Sequence, residues 1–233
     1  MKKKNLILTY SANQTELTSL TYPFLERYCE NHNLDLLIMR EQNQKIVNKC
    51  EIDGANWFVG CDRWYAYDLF QLYDRILWIG SDVLVQPYAP NIFDVVPEGQ
   101  IGIFMDQQKN EGHHAGDLMG DCFTAFGVRP DGYYNIDVML VDHTEKEIFN
   151  YNNTDMKLIN KGKWNEQDYF NYYTKVNNSP LFNIGYRWNC MVSNYLYTGR
   201  PIPEDWYFMH VTGIPPEARI QLIQDYLTKK GMI

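Results

Sequence analysis

Residues 75–86 read RILWIGSDVLVQ, and this stretch decides the fold. Ile76, Leu77, Trp78 and Ile79 form an unbroken apolar run, rich in β-branched and aromatic side chains. Such a run marks a strand covered on both faces. It stops at Gly80-Ser81-Asp82, and the chain resumes as Val83-Leu84-Val85. A lone carboxylate, Asp82, therefore stands at the tip of a buried strand.

Working outward, NLILTY (Asn5–Tyr10) reads as an opening strand. Glu16–Asn31 carries Leu17, Leu20, Phe24, Leu25 and Tyr28 at helical spacing, and LDLLIM (Leu34–Met39) is a second strand. That strand–helix–strand unit is the building block of parallel sheets. Asp62–Leu72 is expected to be helical and to feed the strand at Ile76. Three prolines in PYAPNIFDVVPEG forbid regular structure along most of that segment. Further strands are expected at Ile101–Met105, Val138–Val141 and Trp206–Val211, and helices at Glu166–Tyr173 and Ala218–Lys229. DQQKNEGHHAGDLMGD reads as a polar loop, and LFNIGYRWNCMVSNYLY is ambiguous between helix and strand.

The chain has 233 residues, 45% of them apolar and 15% aromatic, enough to bury a sizeable core. Neither a repeat nor a linker interrupts it. One α/β domain over 1–233 is expected. Twenty-nine acidic residues against 21 basic give a net charge of −8, and only Lys2–Lys4 forms a basic run. Nothing reads as a track for a nucleic acid backbone. Five scattered cysteines, with no Cys-x-x-Cys spacing, read as reduced thiols. No segment approaches the roughly 20 apolar residues of a membrane span. A cytoplasmic location is the expectation.

Ligands of open α/β sheets bind where strands end at their C-termini. Asp82 stands at such a rim, although an aspartate there also commonly caps a turn. The residue alone leaves both readings open. Its surroundings say more. YDRILWIGSDVLVQPYAPNIFD (Tyr73–Asp94) resembles the matching stretch of the glycogenin-like retaining glycosyltransferases, the family 8 enzymes of the glycosyltransferase-A fold. There a tyrosine precedes an apolar strand, followed by Asp-x-Asp, a Leu-Val pair and a loop ending in Leu-Phe-Asp. The first aspartate of that motif is Gly80 here, so Asp82 stands alone.

Further matches follow in family order. TYSAN resembles the uracil and ribose loop, which makes Thr9, Tyr10 and Ser11 candidates for nucleotide contact. Arg63 lies within one residue of a donor-holding lysine. YYNIDVMLV resembles Phe-Asn-Ser-Gly-Val and carries over Asn135 as a sugar contact, with Asp137 in place of the glycine. WNEQDYFN resembles an Asp-Gln-Asp segment, with Glu166, Gln167 and Asp168 in its three positions and Asn171 retained. MHVTG matches a late His-x-x-Gly whose histidine, His210 here, is a metal ligand. The Lys-Pro-Trp that usually follows is IPPEAR, leaving Arg219 as the substitute for its lysine.

The resemblance implies a mostly parallel, Rossmann-like mixed sheet flanked by helices, with a nucleotide-binding part over about 1–100 and a sugar and acceptor part over about 101–233. It further implies a UDP-sugar donor, a glycan or small hydroxyl acceptor, and a divalent cation, Mn²⁺ or Mg²⁺, on Asp82 and His210. Ser81 would take a polar donor contact. Retention of anomeric configuration is expected, with Gln167 or Asp168 stabilising the oxocarbenium-like centre. Two alternatives stay open. One is an inverting transferase with Asp137, Glu166 or Asp168 as general base; the other is a nucleotide-sugar-binding protein with feeble turnover. Glu111, His113, His114, Asp117 and Asp121 form a second cluster, which reads as an acceptor-side loop more than a metal site.

Overall fold

All five residues of Arg75–Ile79 (β3) are buried, and the strand lies inside a six-stranded sheet. Even Arg75 is enclosed, with its guanidinium donating to the carbonyls of Phe93 at 2.7 Å and Val96 at 3.0 Å. That pairing ties the proline-rich segment after β3 to the strand's foot. The computed structural model describes residues 4–11, 15–106 and 115–233.

The strands Asn5–Tyr10 (β1), Asp35–Met39 (β2), Ile101–Met105 (β5), Tyr134–Asp142 (β6) and Leu181–Asn183 (β7) complete the sheet, in the order β2-β1-β3-β6-β5-β7. Of these strands, β6 alone runs against the rest, pairing antiparallel with β3 and β5. A mixed, mostly parallel sheet is the expected architecture. A smaller sheet joins Val83–Val85 (β4), Phe208–His210 (β9) and Cys190–Met191 (β8) in the order β4-β9-β8.

Helices Thr15–His32 (α1), Gln44–Asp53 (α2), Ala66–Leu69 (α3), Ile92–Val95 (α4) and Ala115–Phe126 (α5) belong to the first half of the chain. Met156–Ile159 (α6), Glu166–Asn177 (α7), Ser193–Leu196 (α8) and Pro216–Lys229 (α9) follow. The alternation of strand side chains splits the core in two. Leu6, Leu8, Ile76 and Trp78 pack on one face of the large sheet with Trp64, Met139 and Phe149. Ile7, Leu77 and Ile79 pack on the other with Tyr22, Leu25, Val138 and Leu140. A third cluster, including Leu84, Met209, Ile223 and Leu227, joins the small sheet to α9. Each fully buried Leu or Ile contributes about 1.5–3 kcal/mol, so β3 is a principal anchor of the fold.

Several boundaries differ from the sequence reading. The expected helix over 62–72 is instead a 3₁₀ turn over Val59–Tyr65 followed by α3. Residues Gly60 to Trp64 are all buried, which a one-faced α-helical stripe cannot achieve. The polar loop before Asp121 is partly α5. The helix α2 has no counterpart in the sequence reading, yet it has a clear grammar. Asn43 caps its first amides, Ile46 and Cys50 face the core one turn apart, and Gly54 closes it at φ 67°. The ambiguous segment supplies β7, β8 and a 3₁₀ turn at Tyr186–Trp188. The late strand is confined to Phe208–His210, and β6 is longer than Val138–Val141.

Candidate functional site

Strand direction assembles the site. Because β6 is antiparallel to β3, its early residues meet the end of β3, with Ile79 opposite Val138. Gly80 then faces Asp137, and its amide donates to the Asp137 carbonyl at 2.8 Å. In the small sheet β4 and β9 are antiparallel with Val83 opposite His210, which brings His210 beside Asp82. The Val211 amide donates to the Asp82 carbonyl at 3.0 Å and holds that register.

Nε2 of His210 lies 3.4 Å from Oδ1 of Asp82 and 3.5 Å from Oδ2 of Asp137. The other oxygen of each carboxylate meets an arginine. Arg219 Nη1 donates to Asp82 Oδ2 at 2.9 Å, and Arg63 Nη2 donates to Asp137 Oδ1 at 2.9 Å. Arg63 also donates to the Ile136 carbonyl at 3.0 Å, approaches Glu166 Oε1 at 3.3 Å and lies over the Trp78 ring. Arg219 is fixed from its own helix start, where Nε donates to the Ile214 carbonyl at 3.0 Å. Residues from six separate parts of the chain thus converge at the end of β3.

Electrostatics follow from this packing. Burial alone would raise the Asp82 carboxyl and lower His210, but their mutual attraction wins. Asp82 is held below its ordinary range with help from Arg219, and His210 is raised with help from Asp137. Burial pushes the Glu166 carboxyl up, and Asp137 adds to this while Arg63 opposes it. Nε2 of His210 is fully buried and has no hydrogen-bond partner, whereas Nδ1 is 3.0 Å from Asn189 Oδ1. An orphaned imidazole nitrogen facing carboxylate oxygens suits a cation, so these residues fit a divalent metal. Among the described residues, no three His, Cys, Asp or Glu side chains stand preassembled as a metal-holding group, so a bound ion would have to draw its ligands together.

Gln167 Oε1 accepts from Asn135 Nδ2 at 3.2 Å and from the Ile136 amide at 3.4 Å. The structure therefore brings Arg63, Asp82, Asn135, Asp137, Glu166, Gln167 and His210 together. Asp168 points elsewhere. It is fully buried, with Oδ1 accepting from Tyr133 OH at 2.7 Å and Oδ2 from the Trp164 amide at 2.9 Å, so it anchors the start of α7. Asn171 braces the same helix against Tyr134.

At the first strand, Thr9 is fully buried and its hydroxyl lies 3.3 Å from Tyr22 OH. The Ser11 amide donates to the Met39 carbonyl, while the Ser81 carbonyl accepts from Thr21 Oγ1 at 3.0 Å. Tyr10 lines an open cleft of about 500 Å³ with Arg40, Glu41, Gln42, Gln44, Trp57 and Val59, where β1 and β2 end. Asp62 lies beneath it, accepting from Trp57 Nε1 at 3.2 Å and the Asn43 amide at 3.3 Å. Burial pushes its carboxyl up to about 6.

Trp57 and Asn189 were missed by the sequence reading. Asn189 sits in the segment with no clear period, and only its contact to His210 reveals it. In the second cluster, Glu111, His113 and His114 lie outside the described residues, as does the side chain of Asp117. Asp121 accepts from Lys163 Nζ at 3.1 Å.

Solved glycosyltransferases share this architecture. A glycosyltransferase involved in the glycosylation of the major capsid of PBCV-1 superposes with a TM-score of 0.60 at 16% identity, covering 95% of this chain and 99% of that one. The galactosyltransferase LgtC, solved with donor and acceptor sugar analogues, gives 0.59 at 15% identity over 94% and 95%. Mouse xyloside xylosyltransferase 1 gives 0.52 at 12% over 92% and 100%. The fold is the glycosyltransferase-A fold. No family model matches the sequence, and no curated protein does. Among the described residues no helix is long and apolar enough to cross a membrane, and all five cysteines are unpaired and buried.

Proposed function

We propose that the protein is a cation-dependent glycosyltransferase that uses a UDP-sugar and a glycan or small hydroxyl acceptor. The observation that carries this reading is the orphaned Nε2 of His210 facing Asp82 at the rim of β3. Charge supports it. Asp82, Asp137 and Glu166 outnumber Arg63 and Arg219 in the cluster, so it holds no surplus positive charge to meet a diphosphate. A divalent cation on Asp82 and His210 would supply that charge and stabilise the diphosphate as it leaves.

The chain's own groups do the rest. The cleft of Tyr10 and Trp57 has room and aromatic faces for a nucleoside. Asn135 and Gln167, locked together, present amides to the sugar. The resemblance to retaining enzymes favours retention, with a leaving phosphate oxygen taking the acceptor proton and Gln167 stabilising positive charge at the anomeric carbon once its Oε1 turns there from Asn135 and Ile136. One observation favours the inverting alternative: the upward shift of Glu166 moves a carboxylate toward the range of a general base.

A thermal-shift panel of nucleotide sugars, each with and without Mn²⁺, tests the reading. A UDP-sugar should raise the melting temperature only modestly alone and clearly more with Mn²⁺. A panel without any shift would refute it.

A further inference from the structure

Two backbone amides fix the orientation of a buried side-chain relay that ends on His210. The Asp137 amide donates to Asn135 Oδ1 at 3.1 Å, and the Ile136 amide to Gln167 Oε1 at 3.4 Å. A backbone N–H can only donate, so both atoms are oxygens. Asn189 must then offer Nδ2 to Asn135 Oδ1, at 2.9 Å, which leaves its Oδ1 for Nδ1 of His210. The proton of a neutral His210 therefore sits on Nδ1, and the electron pair sits on Nε2. That pair faces Asp82 Oδ1 and Asp137 Oδ2 at 3.4 and 3.5 Å. Three electron-rich atoms at such range repel one another unless a positive charge lies among them, either the proton that the carboxylates draw onto His210 or a cation that takes its place.

Position 80 shows why one of those atoms comes from β6. A Cβ built on Gly80 would stand 3.4 Å from Cβ and 3.6 Å from Cγ of Asp137. The Asp137 side chain thus lies beside the space that a side chain at the tip of β3 would enter. We propose that Asp137 is a cation ligand, supplying from β6 the carboxylate that β3 lacks at Gly80. Oδ2 is the ligating atom, and Oδ1 is steered by Arg63 as Asp82 is steered by Arg219. This rests on the reading that a divalent cation binds at Asp82 and His210.

Mn²⁺ titrations followed by the EPR signal of the free ion, with and without UDP, test the assignment. Asp137→Asn should bind Mn²⁺ in the presence of UDP at least about 10-fold more weakly than the wild type. The double variant Gly80→Asp/Asp137→Gly, which moves the carboxylate back to β3, should recover most of the loss. Its Cβ would lie 3.0 Å from Asp82 Oδ1, so Asp82 must give slightly. Unchanged Mn²⁺ binding by Asp137→Asn would overturn the assignment while leaving the cation reading intact. A double variant that binds Mn²⁺ no better than Asp137→Asn would also overturn it, reducing Asp137 to a structural partner of Arg63. Absence of Mn²⁺ uptake by wild type with UDP would remove the cation reading and this assignment together, without touching UDP-sugar binding itself.

Discussion

The Gly80 amide and the Asp137 carbonyl are hydrogen-bonded at 2.8 Å across neighbouring antiparallel strands. That one contact sets the end of a parallel βα unit against the beginning of a strand running the other way. The carboxylates of Asp82 and Asp137 are thereby held on the same side of the rim, within reach of His210.

Asp82→Asn should keep the fold at a moderate cost in stability and remove the response to Mn²⁺. The ion pair with Arg219 is largely shielded, at 13% and 24%, and the buried His210 loses its carboxylate neighbour too, so the substitution should cost about 1–3 kcal/mol. Calorimetry with UDP should show Mn²⁺ affinity falling at least about 10-fold in protein that still unfolds cooperatively in urea. An unchanged titration would discard Asp82 as a ligand.

Asn189→Ala should weaken both stability and cation binding. The substitution leaves Nδ1 of His210 and Oδ1 of Asn135 short of a buried partner, a loss of about 1–3 kcal/mol. It also frees the imidazole to rotate, which should lower Mn²⁺ affinity about 10- to 100-fold. Denaturant melts and metal titration read the two effects separately. Loss of stability with intact Mn²⁺ affinity would show that Asn189 does not orient His210.

Asp168→Ala distinguishes an anchor from a reacting group. Two donors, Tyr133 OH and the Trp164 amide, lose a buried carboxylate, which should cost about 3 kcal/mol or more. Material that remains folded should still bind UDP with Mn²⁺. A stable variant with full donor binding and no turnover would instead make Asp168 catalytic.

Much of the site is legible in the sequence, and the gaps have physical causes. The buried run Ile76–Ile79 announces β3, and its end announces Asp82, because continuous apolar strands and strand tips are local signals. His210 is marked by following an apolar run. Asp168 is ambiguous from sequence, since an acidic residue in a first helical turn looks the same whether it faces solvent, ligand or core. Its burial comes from Tyr133 and Trp164, which are distant in kind from any period. Asn189 is invisible for a similar reason: its partners, Asn135 and His210, arrive from different sheets. Arg219 reaches Asp82 only because α9 packs against α1 and β4, a tertiary outcome.

Asp62 predicts a pH dependence. Burial raises its carboxyl from 3.8 to about 6, with Oδ2 enclosed and unpartnered. Between about pH 4 and pH 6 the unfolded chain has released this proton while the folded chain still holds it. Stability therefore falls as pH rises through that window, by on the order of 1–3 kcal/mol from this group, and the penalty is complete above about 6. The difference in unfolding free energy between Asp62→Asn and wild type should shift by this amount, toward the variant, from pH 4 to pH 7. A difference that stays constant with pH would place Asp62 in a more solvated setting than its burial implies.

The central claim is that the rim of β3 activates a nucleotide sugar with the help of a cation. Release of UDP from a panel of UDP-sugars, measured with Mn²⁺ and with a chelator, tests it most directly. The wild type should release UDP from at least one donor with Mn²⁺, and His210→Ala and the chelator should each suppress that release. Release that is indifferent to both, or none from any donor by folded protein, would contradict the account.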